Sequence, residues 1–340
     1  MGAGDDHAAA TPAASAHHPP SSYILDREAI LMRILMVGAG ALGGYFGGRL
    51  LAAGRDLTFL VRAGRAAQLA RDGLVVRSPK GDLQIDAPPH VLAEDIDRPY
   101  DLVVVSCKAF DLDPTMDAIA PAVGPDTAVL PLLNGMAHYD RLAQRFGDEK
   151  VLGGLCMISA SLDEQGHVVH HNDLDGLTFG ERSGGRSARV DAIAAQFQAA
   201  GFTDHLSEDI LQDLWEKWLF IASAAALTTL MRASVGAVQA AGGADVALAL
   251  VDECAGIAAH NGFAPRPATL ERARAMLTQV GSPMTASMYK DMARGARVEA
   301  DHIIGDLLAR APAGLASPSV LRAAYVNLKT YEVQRAASAA

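Results

Sequence analysis

The sequence predicts an α/β fold class: an N-terminal half built on a parallel sheet, followed by an all-α C-terminal half. Three observations carry this prediction. Apolar runs of strand length recur from Ile34 to about Gly180. The first of them leads directly into a glycine-rich turn and an apolar helix. Beyond Gly201 the strand signals stop, and apolar residues return at intervals of three and four, the period of a helix.

Ile34-Leu35-Met36-Val37 reads as a buried strand, and Gly38-Ala39-Gly40-Ala41-Leu42-Gly43 follows at once. Tyr45 to Ala53 reads as a helix ending at Gly54, and Leu57 to Val61 as a second strand. G-x-G-x-x-G between a strand and a helix is the signature of a Rossmann-type, dinucleotide-binding domain. Gly38 permits the tight turn, Gly40 lets the backbone approach a pyrophosphate, and Gly43 lets the helix pack on the strand. The first-turn N–H groups, around Ala41 and Leu42, face the anion.

The second strand ends in Val61-Arg62-Ala63-Gly64-Arg65, with no carboxylate to accept from a ribose 2′-OH. Arg62 can fork onto a 2′-phosphate, assisted by Arg65, so the expected cofactor is NADPH. Two further strands, Asp101 to Ser106 and Ala128 to Leu133, run into Lys108 and Asn134. Ligands of open α/β sheets sit outside such strand ends, which makes both residues candidates. Lys108 suits cofactor phosphate; Asn134 suits ribose, nicotinamide or substrate.

The stretch Gly153 to Gly180 is β-like, and its His167, His170 and His171 read as part of an exposed or edge strand. No carboxylate or cysteine completes a ligand set at usual spacing, so no metal is expected.

In the second half, Ser207-Glu208-Asp209 looks like a helix start, and the helix runs to about Met231. Ile210, Leu214, Lys217, Ile221, Ala225 and Thr228 form one stripe. Lys217 is out of place on that apolar face, the kind of local inconsistency that marks functional sites. Glu299 opens a later helix, where a carboxylate also complements the helix dipole. A last helix is expected within Gly314 to Tyr331, entered through Ser317-Pro318.

Composition narrows the partners. The net charge is −10 with no long basic run, which argues against nucleic acid and anionic membranes. Residues 1 to about 22 are rich in Ala, Pro, Ser and His and lack a signal-peptide pattern, and 1–31 is expected to be a disordered tail. Cys107, Cys156 and Cys254 are far apart and odd in number, as expected for free thiols of a cytoplasmic protein. The domains expected are 32–206 for the dinucleotide and 207–340 for substrate and catalysis.

From Arg33 to Tyr331 the chain resembles the ketopantoate reductase family. The resemblance rests on ordered segments: the glycine turn, Cys107-Lys108-Ala109-Phe110, Leu133-Asn134-Gly135, Leu214-Trp215-Glu216-Lys217, Leu227-Thr228, Ser287-Met288-Tyr289-Lys290-Asp291 and Glu299. It implies an NADPH-dependent reductase of a small 2-keto acid, 2-dehydropantoate in the first place, with no metal, and with a homodimer as the assembly to look for. It assigns Lys217 as the proton donor, Glu299 as the acid interacting with it, Asn134 as a neighbour of the nicotinamide, and Ser287 as a substrate-binding serine. Where the family carries two substrate-binding asparagines after the lysine, this chain has Ile221 and Ala225. That departure predicts a preference for a more apolar 2-keto acid. An opine or 3-hydroxy acid dehydrogenase and a catalytically silent NADPH sensor are the competing readings.

Overall fold

The computed structural model describes residues 1–2, 32–313 and 319–339. The compact unit is Met32–Ala340. Most of the tail (residues 3–31) and the Ser317-Pro318 entry to the last helix lie outside the described residues.

The strands, in chain order, are β1 Ile34–Val37, β2 Leu57–Leu60, β3 Leu74–Arg77, β4 Leu83–Ile85, β5 His90–Val91, β6 Tyr100–Val105, β7 Val123–Pro131, β8 Gly153–Leu162, β9 Val168–Gly180 and β10 Thr203–Leu206. The helices of the first half are α1 Ala41–Ala52, α2 Ala63–Asp72, α3 Leu112–Ile119, α4 Ala137–Phe146 and α5 Ala188–Phe197. Those of the second are α6 Ile210–Met231, α7 Val235–Ala240, α8 Ala244–His260, α9 Pro267–Leu277, α10 Ser287–Ala293, α11 Asp306–Ala309 and α12 Val320–Ala339.

The first sheet has the order β5-β2-β1-β6-β7, and every pairing in it is parallel. β1, β2, β6 and the second half of β7 are buried almost throughout, which is why they read as continuous apolar runs rather than as alternation. Ile34, Met36, Leu102 and Val104 face a core shared with α1, α5 and the second sheet. Leu35, Val37, Val103 and Val105 face the other core, which continues without a break into the helices beyond Gly201. The second sheet has the order β10-β9-β3-β4, with β8 on β9.

That second sheet corrects two expectations. β9 is central rather than an edge, because β8, β3 and β10 all pair with it. His170 is accordingly buried and held between the Ser78 hydroxyl and the Leu174 carbonyl, at 2.9 Å each. Strand signals also do not stop at Gly201: β10 follows, its polar Thr-Asp-His sequence hiding a strand that lies parallel to β9.

α6 is the axis of the helical half. Ala222 through Thr229 are all buried, so the helix is surrounded rather than half exposed. It ends where the sequence indicates, at Met231, with Arg232 in the left-handed region at φ 51°. No helix among the described residues is long and apolar enough to cross a membrane.

Candidate active site

β1 ends in the glycine turn, and Gly38 takes φ +90°, a value that a residue with Cβ rarely adopts. A Cβ on Gly43 would lie 2.0 Å from the Gly38 carbonyl oxygen, so this glycine is fixed by packing alone. A Cβ on Gly40 would meet nothing within 4 Å. Packing therefore does not require a glycine at position 40, which borders a cavity. Gly40 is also the N-cap of α1 and supplies no side chain, leaving the first-turn N–H groups of Ala41, Leu42 and Gly43 directed to an incoming anion.

A cavity of about 340 Å³ opens beside this turn, lined by Gly38, Gly40, Arg62, Arg65, Ser106 and Thr115 among others. Its two arginines differ. Arg62 is 81 % exposed and touches only Asp111, at 3.4 Å. Arg65 donates to the Ala39 carbonyl through Nε (3.1 Å) and Nη2 (2.8 Å), and through Nη1 to Gly166 O (2.9 Å) and Gln68 Oε1 (2.6 Å). Arg65 is thus a brace of the glycine turn, with four of its five N–H groups already engaged. Ser106, which sequence reasoning passed over, donates to the Val37 carbonyl at 2.7 Å and joins the ends of β1 and β6.

At the end of β6, Lys108 sits between two carboxylates, Asp291 Oδ2 at 3.1 Å and Glu299 Oε2 at 3.2 Å. Burial works against its charge, but the two carboxylates outweigh burial and raise its pKa. Glu299 also accepts from the Ala109 N–H at 3.0 Å, capping the short 3₁₀ turn there. This differs from the expected Lys217–Glu299 contact. The Lys108 ammonium and the free turn N–H give Glu299 its donors, while Lys217 Nζ is buried with no hydrogen-bond partner.

Lys217 leaves α6 toward β8. Burial lowers its pKa, weakly opposed by the nearby Cys156 thiol, and burial raises Cys156 in turn. One and two turns further along α6, Ile221 and Ala225 line a cavity of about 120 Å³ together with Asn134, Ser287, Phe220 and Met284. Four candidates separated by more than 150 residues thus meet around one small space. Lys217 stands one turn away and is not part of its wall.

Local contacts explain the convergence. Gly135 turns at φ +79° and packs so closely that a Cβ there would lie 2.8 Å from the His302 carbonyl. The Ala286 N–H donates to Thr228 Oγ1 at 3.3 Å, which seats Ser287, at the start of α10, against α6. Trp218 Nε1 donates to the Ile303 carbonyl at 2.8 Å and ties α6 to a π-helical turn, Asp301–Gly305. In that turn His302 Nε2 lies 3.3 Å from Nδ1 of His138, a fully buried residue of α4. No local sequence signal marks this pair, whose members are 164 residues apart.

Two family models match the chain: ketopantoate reductase PanE/ApbA over residues 34–184, and its C-terminal counterpart over 209–332. An uncharacterised oxidoreductase of Bacillus subtilis is 36 % identical over 306 residues, 89 % of this chain and all of that protein. A 2-dehydropantoate 2-reductase of Halobacterium salinarum is 30 % identical, covering 82 % of this chain and 92 % of its own. Among solved structures, the 2-dehydropantoate 2-reductase of Geobacter metallireducens superposes with a TM-score of 0.80 at 28 % identity, covering 88 % of this chain and 99 % of that one. The chain belongs to the ketopantoate reductase family, a family of dinucleotide-binding oxidoreductases that act on CH–OH groups.

Proposed function

We propose that the protein reduces a small 2-keto acid with NADPH, with 2-dehydropantoate as the first candidate substrate and Lys217 as the proton donor. The observation that carries this reading is the cavity shared by Asn134, Ile221, Ala225 and Ser287, one helical turn from a buried lysine with no partner. Residues 32–206 would carry the cofactor, and residues 207–340 the substrate and the acid. A homodimer is the assembly we propose, the state described for a Staphylococcus aureus ketopantoate reductase of the same fold, at TM-score 0.75.

The open space at Gly40 and the uncapped α1 fit a dinucleotide pyrophosphate. Arg62, exposed at the rim, would take the 2′-phosphate, and Lys108 a more central one. When bound, the cofactor supplies the hydride. Negative charge then develops on the keto oxygen. The Lys217 ammonium stabilises that charge and gives up a proton to it, more readily because burial lowers its pKa. Asn134 and Ser287 would orient the carbonyl and carboxylate.

A second substrate reading is favoured by the same wall. Phe220, Ile221, Ala224, Ala225, Met284 and Met288 leave few donors for a substrate hydroxyl. A branched 2-keto acid without that hydroxyl would suit the lining better. Steady-state kinetics with 2-dehydropantoate, with its analogue lacking the hydroxyl, and with NADPH against NADH tests both points. A higher kcat/KM for the analogue selects the apolar substrate, and a higher value for 2-dehydropantoate rejects it. Preference for NADH would reject the assignment of Arg62.

A further inference from the structure

The cavity shared by Asn134, Ile221, Ala225 and Ser287 holds about 120 Å³, whereas ligand sites usually hold roughly 300–1,000 Å³. Lys217 forms part of the wall of a larger cavity, of about 510 Å³, between α6, α9 and the second sheet. Phe220, half-buried, is a wall of both. Along α6 the larger cavity meets Asp213, Glu216, Lys217 and Phe220, and the smaller one Phe220, Ile221, Ala224 and Ala225. These intervals of three and four put both sets on one side of the helix. The two cavities are therefore successive stretches along one face of α6, with Lys217 and Phe220 at their junction.

The larger cavity has a polar side that is already engaged and an apolar side that is not. Glu216 accepts from the Arg266 N–H (2.8 Å), Thr269 Oγ1 (2.9 Å) and Gln212 Nε2 (3.0 Å). Asp213 accepts from Ser207 Oγ and from Arg266 Nη2, each at 2.6 Å. His205 and Arg272 are exposed. The rest of the wall, Thr178 apart, is Leu155, Met157, Phe220, Ala268, Ala273 and Met276. Such a wall offers burial to a hydrocarbon chain, and unbranched methionines adapt to its shape.

We propose that this larger cavity receives the side chain of the substrate, which makes the preferred substrate a 2-keto acid with an extended apolar chain. The inference rests on the reading of Lys217 as proton donor. The carboxylate and carbonyl lie with Asn134 and Ser287 in the smaller cavity, and the chain runs past Phe220 into the larger one. Phe220 is then the residue that sets which chains can pass.

A chain-length series tests this without any substitution. With NADPH, kcat/KM should rise from 2-ketobutyrate through 2-ketohexanoate to 2-ketooctanoate, by up to about fourfold for each methylene buried. Ala268→Trp fills the cavity from an exposed position of α9. It should lower kcat/KM for 2-ketooctanoate roughly tenfold or more relative to 2-ketobutyrate, mainly through KM. Phe220→Ala widens the junction and should raise kcat/KM for phenylpyruvate relative to 2-ketohexanoate. A flat or falling series, or equal losses for short and long acids in Ala268→Trp, would overturn the proposal and leave the role of Lys217 standing. Faster reduction of 2-ketoadipate than of 2-ketohexanoate would assign the cavity to a second anion, beside Arg272 and His205, and would overturn it equally. If the unsubstituted enzyme reduces no 2-keto acid, or Lys217→Met keeps its turnover, the reading of the site fails and this inference with it.

Discussion

The glycine-turn cavity and the surroundings of α6 treat polar groups in opposite ways. Around the glycine turn, Arg65 has all its nitrogens engaged, and Ser106 is bonded to Val37. Around α6, Lys217 Nζ and His138 Nε2 are buried with no partner. Other orphaned atoms occur on Arg49, Arg182 and Asp306, but each of those side chains has another polar atom paired. Among the described residues, Lys217 is the side chain whose entire charged head is unpartnered while buried. Satisfied groups build the scaffold, and the unsatisfied lysine is stability given up, which the proposed proton-donor role of Lys217 accounts for.

The sharpest way to break this contrast is Lys217→Met. Its kcat should fall by about 10²–10⁴ while NADPH binding survives. Its stability should rise by about 1–3 kcal/mol, since a desolvated, unpartnered group is removed. Thermal unfolding and a cofactor titration check both, and a destabilised variant would contradict the assignment.

Within the glycine turn, Gly43→Ala sets a Cβ against backbone and should cost about 3 kcal/mol or more, together with dinucleotide binding. Gly40→Ala meets no protein atom, so its unfolding midpoint should stay within about 0.5 kcal/mol of the parent while cofactor affinity drops. Equal melting of the two would mean that Gly40 is also a packing residue.

For the two arginines, Arg62→Ser should reduce the preference for NADPH over NADH roughly tenfold, the worth of one charge-assisted bond. Arg65→Met should destabilise the fold with little change in that preference. The reverse pattern would exchange their roles.

The smallest effect is on pH dependence. In the proposed role the Lys217 ammonium donates the proton, a form present at low pH and lost as pH rises through the folded-state value. Burial lowers that value, so the alkaline limb of kcat should fall below the ordinary lysine range. Stability runs the other way. Between the depressed and ordinary values the unfolded chain binds more protons, so stability climbs with pH there, a slope that Lys217→Met should flatten.

Much of this was legible in the sequence because it is local. The apolar run before Gly38, the turn itself and the α6 stripe are each written within a few residues, and the long helix stops at Met231 as its pattern indicates. Pairings across the chain were not legible. Nothing in the spacing says whether Glu299 meets Lys108 or Lys217, since both are lysines near strand or helix positions that face the cleft. β9 looked like an edge because polar histidines alternate along it, yet Ser78 and Leu174 satisfy the buried one. His138 follows the Asn134-Gly135 turn closely enough to have raised suspicion, but its partner His302 belongs to a helix whose register the sequence does not reveal.

That register has its own consequence. The π-helical turn Asp301–Gly305 opens the helix that continues as α11, and is braced by Tyr325 Oη on Asp301 at 2.6 Å and Lys329 Nζ at 2.8 Å. Each π-helical residue advances less than the roughly 100° of an α-helical one, so the turn sets the angle between Glu299, which meets Lys108 and the Ala109 N–H, and Leu307, which faces the core. Deleting a single residue there would change neither charge nor hydrophobicity appreciably, yet would rotate one of those two side chains off its target. The segment should therefore tolerate exchanges of residue type far better than changes of length.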